Sequence, residues 1–230
     1  MSAGFLVASD ECEVAVPSQA MAGLEAFRRW ALSEECPDSG RFDYIAGNIE
    51  VSDMAGEEVI AHGAVKMELA RGIANHVRRY DLGYAFTDSV RVSSPEVGLS
   101  AEPDVIVVTF DAIESGRARL VPKAGAEQGR FIEVEGAPDL IIEVVSDSTV
   151  RKDTIRLPRS YFDAGVTEFW IADGRKKELT FVVHTRGTSG FEPVVPDQQG
   201  FQVSEVLGVA VRFERCHDRL GTWQYDLVSK

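Results

Sequence analysis

The sequence predicts an α/β domain in which a mixed β-sheet is flanked by helices. Residues 105–108 and 140–145 are runs of β-branched and aliphatic residues, each accompanied by one acid, and they read as buried strands. Residues 18–36 and 57–80 place apolar side chains at three- and four-residue spacing, the pattern of amphipathic helices. A further oily run at residues 169–172 follows a short helix that ends at Gly165. Helices and strands alternating about buried strands define the class.

In chain order, the first helix carries Met21, Leu24, Phe27, Trp30 and Ala31 as its apolar stripe, has Ser18 available as N-cap and ends at Pro37. Residues 41–45 and 48–51 read as a hairpin turning at Ala46-Gly47. Ile60, Val65, Leu69, Ile73 and Val77 form the apolar stripe of the second helix. Residues 84–93 read as one strand, and residues 111–136 as an excursion, a hairpin in which 131–134 form a short edge strand. Asp147-Ser148-Thr149 is a turn, and residues 179–185 and 190–207 carry further strands.

At 230 residues and 44% hydrophobic content the chain can bury a full core. One domain is expected over residues 20–213, with an N-terminal arm at 1–19 and a C-terminal extension at 214–230. No stretch approaches the roughly 20 apolar residues of a membrane span, and the N-terminus lacks a basic region ahead of its apolar residues. A cytoplasmic protein with no membrane partner is expected. Cys12, Cys36 and Cys216 are odd in number and include no C-x-x-C pair, so they read as reduced thiols. With 37 acids against 24 bases, the net charge of −13 opposes non-specific attraction to a phosphate backbone. It leaves the chemistry of a single cleft open.

Asp104, behind Pro103 at the mouth of its strand, and Glu143, inside its own, are the candidate site. A carboxylate is costly to bury unless something neutralises it. Two of them on neighbouring strands can share a hard divalent cation, which needs one or two carboxylates and leaves positions for water and substrate phosphate. On the residues alone a second reading stands beside this one: Asp104 is a turn acid after Pro103, and Glu143 pairs with an arginine.

Pro103-Asp104 ahead of a hydrophobic strand, followed by Glu143 within one, resembles the PD-(D/E)XK nuclease superfamily. EPDVIVV, PDLIIEVVSDST, the acid Asp153, Tyr161 and GVTEFWIAD resemble more closely one branch of it, the Uma-type putative restriction endonuclease family. Gly47 in its turn, His62 opening the second helix and the closing FEPVVPDQQGFQVSEVLG agree, so the likeness spans about residues 20–213. It implies a restriction-endonuclease-like core, Mg²⁺ or Mn²⁺ on Asp104 and Glu143, and a metal-dependent endonuclease that hydrolyses DNA phosphodiester bonds with metal-activated water. DNA is then the substrate, and room is left for a homodimer. No helix-turn-helix, zinc finger or basic arm offers a reader of DNA sequence.

The superfamily also places a lysine two residues after the glutamate, where this chain has Val145. This branch commonly moves it to the next helix, four residues after the acid aligned with Asp153; that position is Leu157, followed by Pro158, which favours a helix start. Lys152 and Arg156 are the cations left nearby to take over the electrostatic role. Their plainer reading is a solvated Arg151-Lys152 pair and an exposed arginine. The departure makes the alternative function a nuclease fold that has lost catalysis and serves as a binding or assembly module. His62 is either a group that orients ligands or handles protons over the site, or a first-turn residue bonded to the backbone. Glu68 reads as a solvated helix acid, and Tyr161 and Trp170 as packing residues with one polar bond each. Ser146 and Ser148 have no partner base.

Overall fold

The computed structural model describes residues 5–8, 13–37, 40–52, 58–147 and 149–230, with side chains from residue 16 onward. Strands β1 (Phe5–Ala8) and β2 (Glu13–Val16) pair antiparallel within the expected arm. A 3₁₀ turn at Ser18–Ala22 leads into α1 (Leu24–Ala31), so the single helix expected over 18–36 is split. The break falls at Gly23, whose φ of 138° glycine alone adopts readily. Strands β3 (Arg41–Ile45) and β4 (Asn48–Ser52) form the expected hairpin. Ala46 (φ 47°) and Gly47 (φ 89°) are both left-handed, as a two-residue type I′ turn requires.

A π-helical turn at Val59–Ala64, in which the Gly63 N–H bonds the Glu58 carbonyl at 3.0 Å, precedes α2 (Val65–Arg79). Residue 57, the expected start of this helix, lies outside the described residues. The single strand expected over 84–93 is two, β5 (Gly83–Thr87) and β6 (Arg91–Ser94), because Asp88 (φ 45°) and Ser89 (φ 57°) turn the chain between them. There follow β7 (Leu99–Ala101), β8 (Val105–Thr109), the short α3 (Phe110–Glu114), β9 (Ala118–Pro122), β10 (Phe131–Gly136) and β11 (Leu140–Val144). The excursion is the expected hairpin, but β10 lies inside its sheet, antiparallel to β9 and parallel to β6. A second π turn at Lys152–Arg156 runs into α4 (Leu157–Ala164), which Gly165 closes at φ 94°. The chain ends with β12 (Glu168–Asp173), β13 (Thr180–Arg186), β14 (Phe191–Pro193), β15 (Gln202–Ser204), β16 (Val209–His217) and β17 (Trp223–Ser229).

Two six-stranded sheets result, ordered β4-β3-β7-β6-β10-β9 and β14-β13-β12-β11-β8-β5. One parallel pair in each, β6–β10 and β11–β12, makes both mixed. The single sheet anticipated from sequence is therefore divided, and both candidate acids belong with the second. A three-stranded sheet, β15-β16-β17, packs on α2 through β17. The boundary drawn at residue 213 thus falls inside β16.

Val105, Val107, Leu140, Ile142 and Trp170 turn one face of the second sheet onto Val65, Leu69, Ile73 and Val77 of α2. Its other face meets α4 through Ile141, Phe169, Leu157 and Tyr161, and meets the first sheet through Ile106, Val108, Val92 and Val134. Helix α1 covers the outer face of the β3–β4 hairpin, packing Phe27 and Trp30 on Phe42 and Tyr44. Strand alternation then sends Arg41 and Asp43, with their cross-strand partners Ser52 and Glu50, to the hairpin's opposite face. Among the described residues no helix is long and apolar enough to cross a membrane.

Candidate active site

Strands β8 and β11 run antiparallel with Ile142 opposite Val105, and one residue further the same register sets Glu143 opposite Asp104. Both acids project with Ile106 and Ile141, away from α2 and towards the inner face of the hairpin. Both are fully buried. Asp104 Oδ1 accepts from Arg41 Nη2 at 2.8 Å, and Oδ2 accepts from the Val144 N–H at 2.7 Å. Glu143 Oε1 accepts from the Tyr161 hydroxyl at 2.5 Å. Glu143 Oε2 is buried without a hydrogen-bond partner and lies 4.0 Å from Arg41 Nη1.

The hairpin and the second π turn complete the surroundings. Lys152 is buried and donates from Nζ to Asp43 Oδ2 at 3.0 Å and to Ser52 Oγ at 2.7 Å. Asp43 Oδ1 accepts from the Glu102 N–H at 3.0 Å, so both of its oxygens are engaged. Asp153 accepts from the Thr149 hydroxyl through Oδ2, while its Oδ1 is buried without a partner. In this π turn the Leu157 N–H reaches back five residues to the Lys152 carbonyl, and Pro158, which has no N–H to give, follows in the first turn of α4. From the first π turn, His62 Nε2 comes within 3.9 Å of Asp104 Oδ2; Lys66 Nζ, from α2, lies 3.0 Å from Asp88 Oδ1 and 4.0 Å from Asp104 Oδ1.

These neighbours push the acids apart in proton affinity. For Asp104, burial acts to raise the pKa, but Arg41, His62 and the Val144 N–H outweigh it and hold the carboxyl below its usual range. For Glu143, burial is joined by repulsion from Asp153 and Asp104, and its pKa stands well above the ordinary value. Asp153 is raised to about 7, first by burial and then by Asp104, against the pull of Lys152 and Thr149. Burial works against the charge on Lys152, yet Asp43 keeps its pKa above the usual value, so the ammonium persists.

Asp104, Glu143, His62 and Lys152 are therefore brought together. The solvated Arg151-Lys152 pair is overturned for its second member: Arg151 is exposed, but Lys152 turns inward to Asp43. Arg156 is half-exposed and pairs with Glu50 at 2.7 Å. Glu68 accepts from Arg71 and from the Leu227 N–H, towards β17. Trp170 Nε1 donates to buried Glu168. Ser146 Oγ lies 2.9 Å from Thr149 Oγ1, and Ser148 is outside the described residues. Val145 and Leu157 are both buried at the two positions where a lysine is expected. Sequence reasoning passed over Arg41, Asp43, Ser52 and Lys66; the polar-apolar alternation of β3 was the one signal for Arg41 and Asp43.

Among the described residues no group of three or more His, Cys, Asp or Glu side chains is arranged to hold a metal ion. The two acids still suit Mg²⁺, which binds through one or two carboxylates and keeps several waters. The unpartnered Glu143 Oε2 is the oxygen that such a cation would satisfy.

A structure described as a putative nuclease belonging to DUF820, from Anabaena variabilis ATCC 29413, is similar with a TM-score of 0.55 and 21% identity, covering 81% of this chain and 90% of that one. At this identity the likeness is one of fold. No curated protein matches the chain. The family model Uma2, "Putative restriction endonuclease", matches residues 24–214. That span takes in every side chain of the site above, and the chain belongs to the Uma2 family.

Proposed function

We propose that this protein is a metal-dependent endonuclease that hydrolyses phosphodiester bonds in DNA, with Asp104 and Glu143 holding Mg²⁺ or Mn²⁺. The observation that carries this reading is the unpartnered, fully buried Glu143 Oε2 across the strand pair from Asp104. Leaving such an oxygen unpaired costs about 1–3 kcal/mol or more, a cost that a bound cation offsets. The cation, when bound, supplies charge stabilisation at the diester and acidifies a coordinated water.

The chain's own residues supply the rest. Tyr161 fixes Glu143 through Oε1, and the Val144 N–H fixes Asp104 through Oδ2. Lys152, clamped by Asp43 and Ser52, takes over the electrostatic role of the family lysine: it is buried and held in place, and Glu143 and Asp153 feel its charge alongside that of Arg41. Arg156 is spent on Glu50. His62 stands beside Asp104, its Nε2 3.9 Å from Oδ2.

Incubation with supercoiled plasmid and linear duplex DNA, with Mg²⁺ or Mn²⁺ and with chelator, tests this. Cation-dependent cleavage is expected, abolished in Asp104→Asn and in Glu143→Gln. Leu157 and Val145 at the lysine positions favour the rival reading, a fold that binds without turnover. Calorimetric cation binding without cleavage of either DNA would decide for it.

A further inference from the structure

Each carboxylate of the strand pair has one oxygen committed to the fold. Asp104 Oδ2 holds the Val144 N–H, and Glu143 Oε1 holds the Tyr161 hydroxyl. A cation that spares these bonds is left Asp104 Oδ1 and Glu143 Oε2. Arg41 stands over both, with Nη2 at 2.8 Å from the first and Nη1 at 4.0 Å from the second. A guanidinium is a planar fork whose donors match a pair of carboxylate oxygens, and it carries its charge at any accessible pH.

We propose that Arg41 and the divalent cation compete for the same two oxygens, so that loading the site requires Arg41 to withdraw. This rests on the metal-dependent reading above. Two positive groups crowded against the same two buried oxygens repel each other, and burial leaves that repulsion little screened. The neighbouring cations are placed differently. Lys152 is pinned by Asp43 and Ser52, and Lys66 is 3.0 Å from Asp88 but 4.0 Å from Asp104. Among the described residues Arg41 is the cation hydrogen-bonded to an acid of the pair, and it begins strand β3 with 12% of its side chain exposed. Competition of this kind is a negative coupling between two occupants of one site, and removing the internal competitor strengthens binding of the external one.

Calorimetry with Mn²⁺ on the full chain tests this without reference to cleavage. Arg41→Gln should bind Mn²⁺ about tenfold or more tightly than wild type, with Arg41→Lys between them. If Arg41 instead orients Asp104 for the cation, Arg41→Gln will bind more weakly; that result, or unchanged affinity, overturns the inference while leaving the metal reading intact. Absence of Mn²⁺ binding in both proteins overturns both. Binding by Arg41→Gln alone supports competition in its strongest form. Should the variant fail to fold, the wild-type guanidinium resonances serve. Protected Arg41 N–H protons should exchange faster as Mg²⁺ is added and bound, and protection that persists at saturation overturns the inference.

Discussion

Tyr161 and Glu143 are joined by a 2.5 Å hydrogen bond between two fully buried side chains. The bond ties α4 to β11 and fixes which glutamate oxygen remains open. Tyr161→Phe keeps the ring in its cluster with Phe169 and Leu157 but strands Glu143 Oε1. A loss of about 1–3 kcal/mol in urea unfolding is expected, together with weaker cation binding. An unchanged denaturation midpoint would show that the bond contributes nothing.

Lys152 and Asp43 should behave as a unit. Lys152→Met leaves Asp43 charged and buried, for an expected cost of about 3–5 kcal/mol. Adding Asp43→Asn should restore much of that stability, whereas cleavage should stay down by about 10² or more in both proteins. Arg156→Ala breaks an ion pair whose arginine is half-exposed, and it should cost no more than about 1 kcal/mol and leave cleavage unchanged. Cleavage undiminished in the double variant, or lost in Arg156→Ala, would move the electrostatic role away from Lys152.

Asp153 makes stability depend on pH in a definite direction. Its pKa is raised by burial, and then by Asp104, from 3.8 to about 7. The folded state therefore holds a proton that the unfolded state has released. The contribution of Asp153 is fully present below about pH 4 and is lost as pH rises through about 7. Asp153→Asn removes that titration. Urea curves at about pH 5 and about pH 8 should show the wild type losing stability relative to the variant at the higher pH; a constant difference would count against the raised pKa.

Restoring the family lysine should not help. Leu157 is buried among Ile45, Ile141 and Phe169, and an ammonium there has a desolvation cost of several kcal/mol unless it is paired. Leu157→Lys is expected to melt earlier than wild type and to cleave no faster. A gain in cleavage would mean that Lys152 does not fill the role.

The oily strands were legible because they are buried on both faces, so β8, β11 and β12 appear as continuous apolar runs in which an acid stands out. Arg41 and Asp43 were not, for the opposite reason. On β3 they alternate with Phe42 and Tyr44, and such alternation says that one face is polar without saying whether water or another sheet covers it. For Lys152 two readings stood open, a cation reaching into the site and a solvated neighbour of Arg151, and adjacency in sequence could not choose between them; the π turn that carries it inward leaves no mark in the periodicity. The division of residues 84–93 needed Asp88 and Ser89 to be recognised as turn formers at positive φ. The C-terminal strands β16 and β17 carried ordinary alternation and were passed over as an extension, although they cover α2.

The two π turns hold one residue more than an α-helix would over the same rise. Deleting Thr154 or Ile155 would let an α register run on towards α4 while swinging Lys152 and Asp153 ahead of it by about 100° about the axis. Lys152 would leave Asp43, and Asp153 would leave Thr149, with every site residue still present in the sequence. Chain length at these turns therefore encodes the charge cluster as much as residue identity does. A one-residue indel is the smallest edit that parts the scaffold from its chemistry, and two relatives with identical motif letters can differ in competence through that count alone.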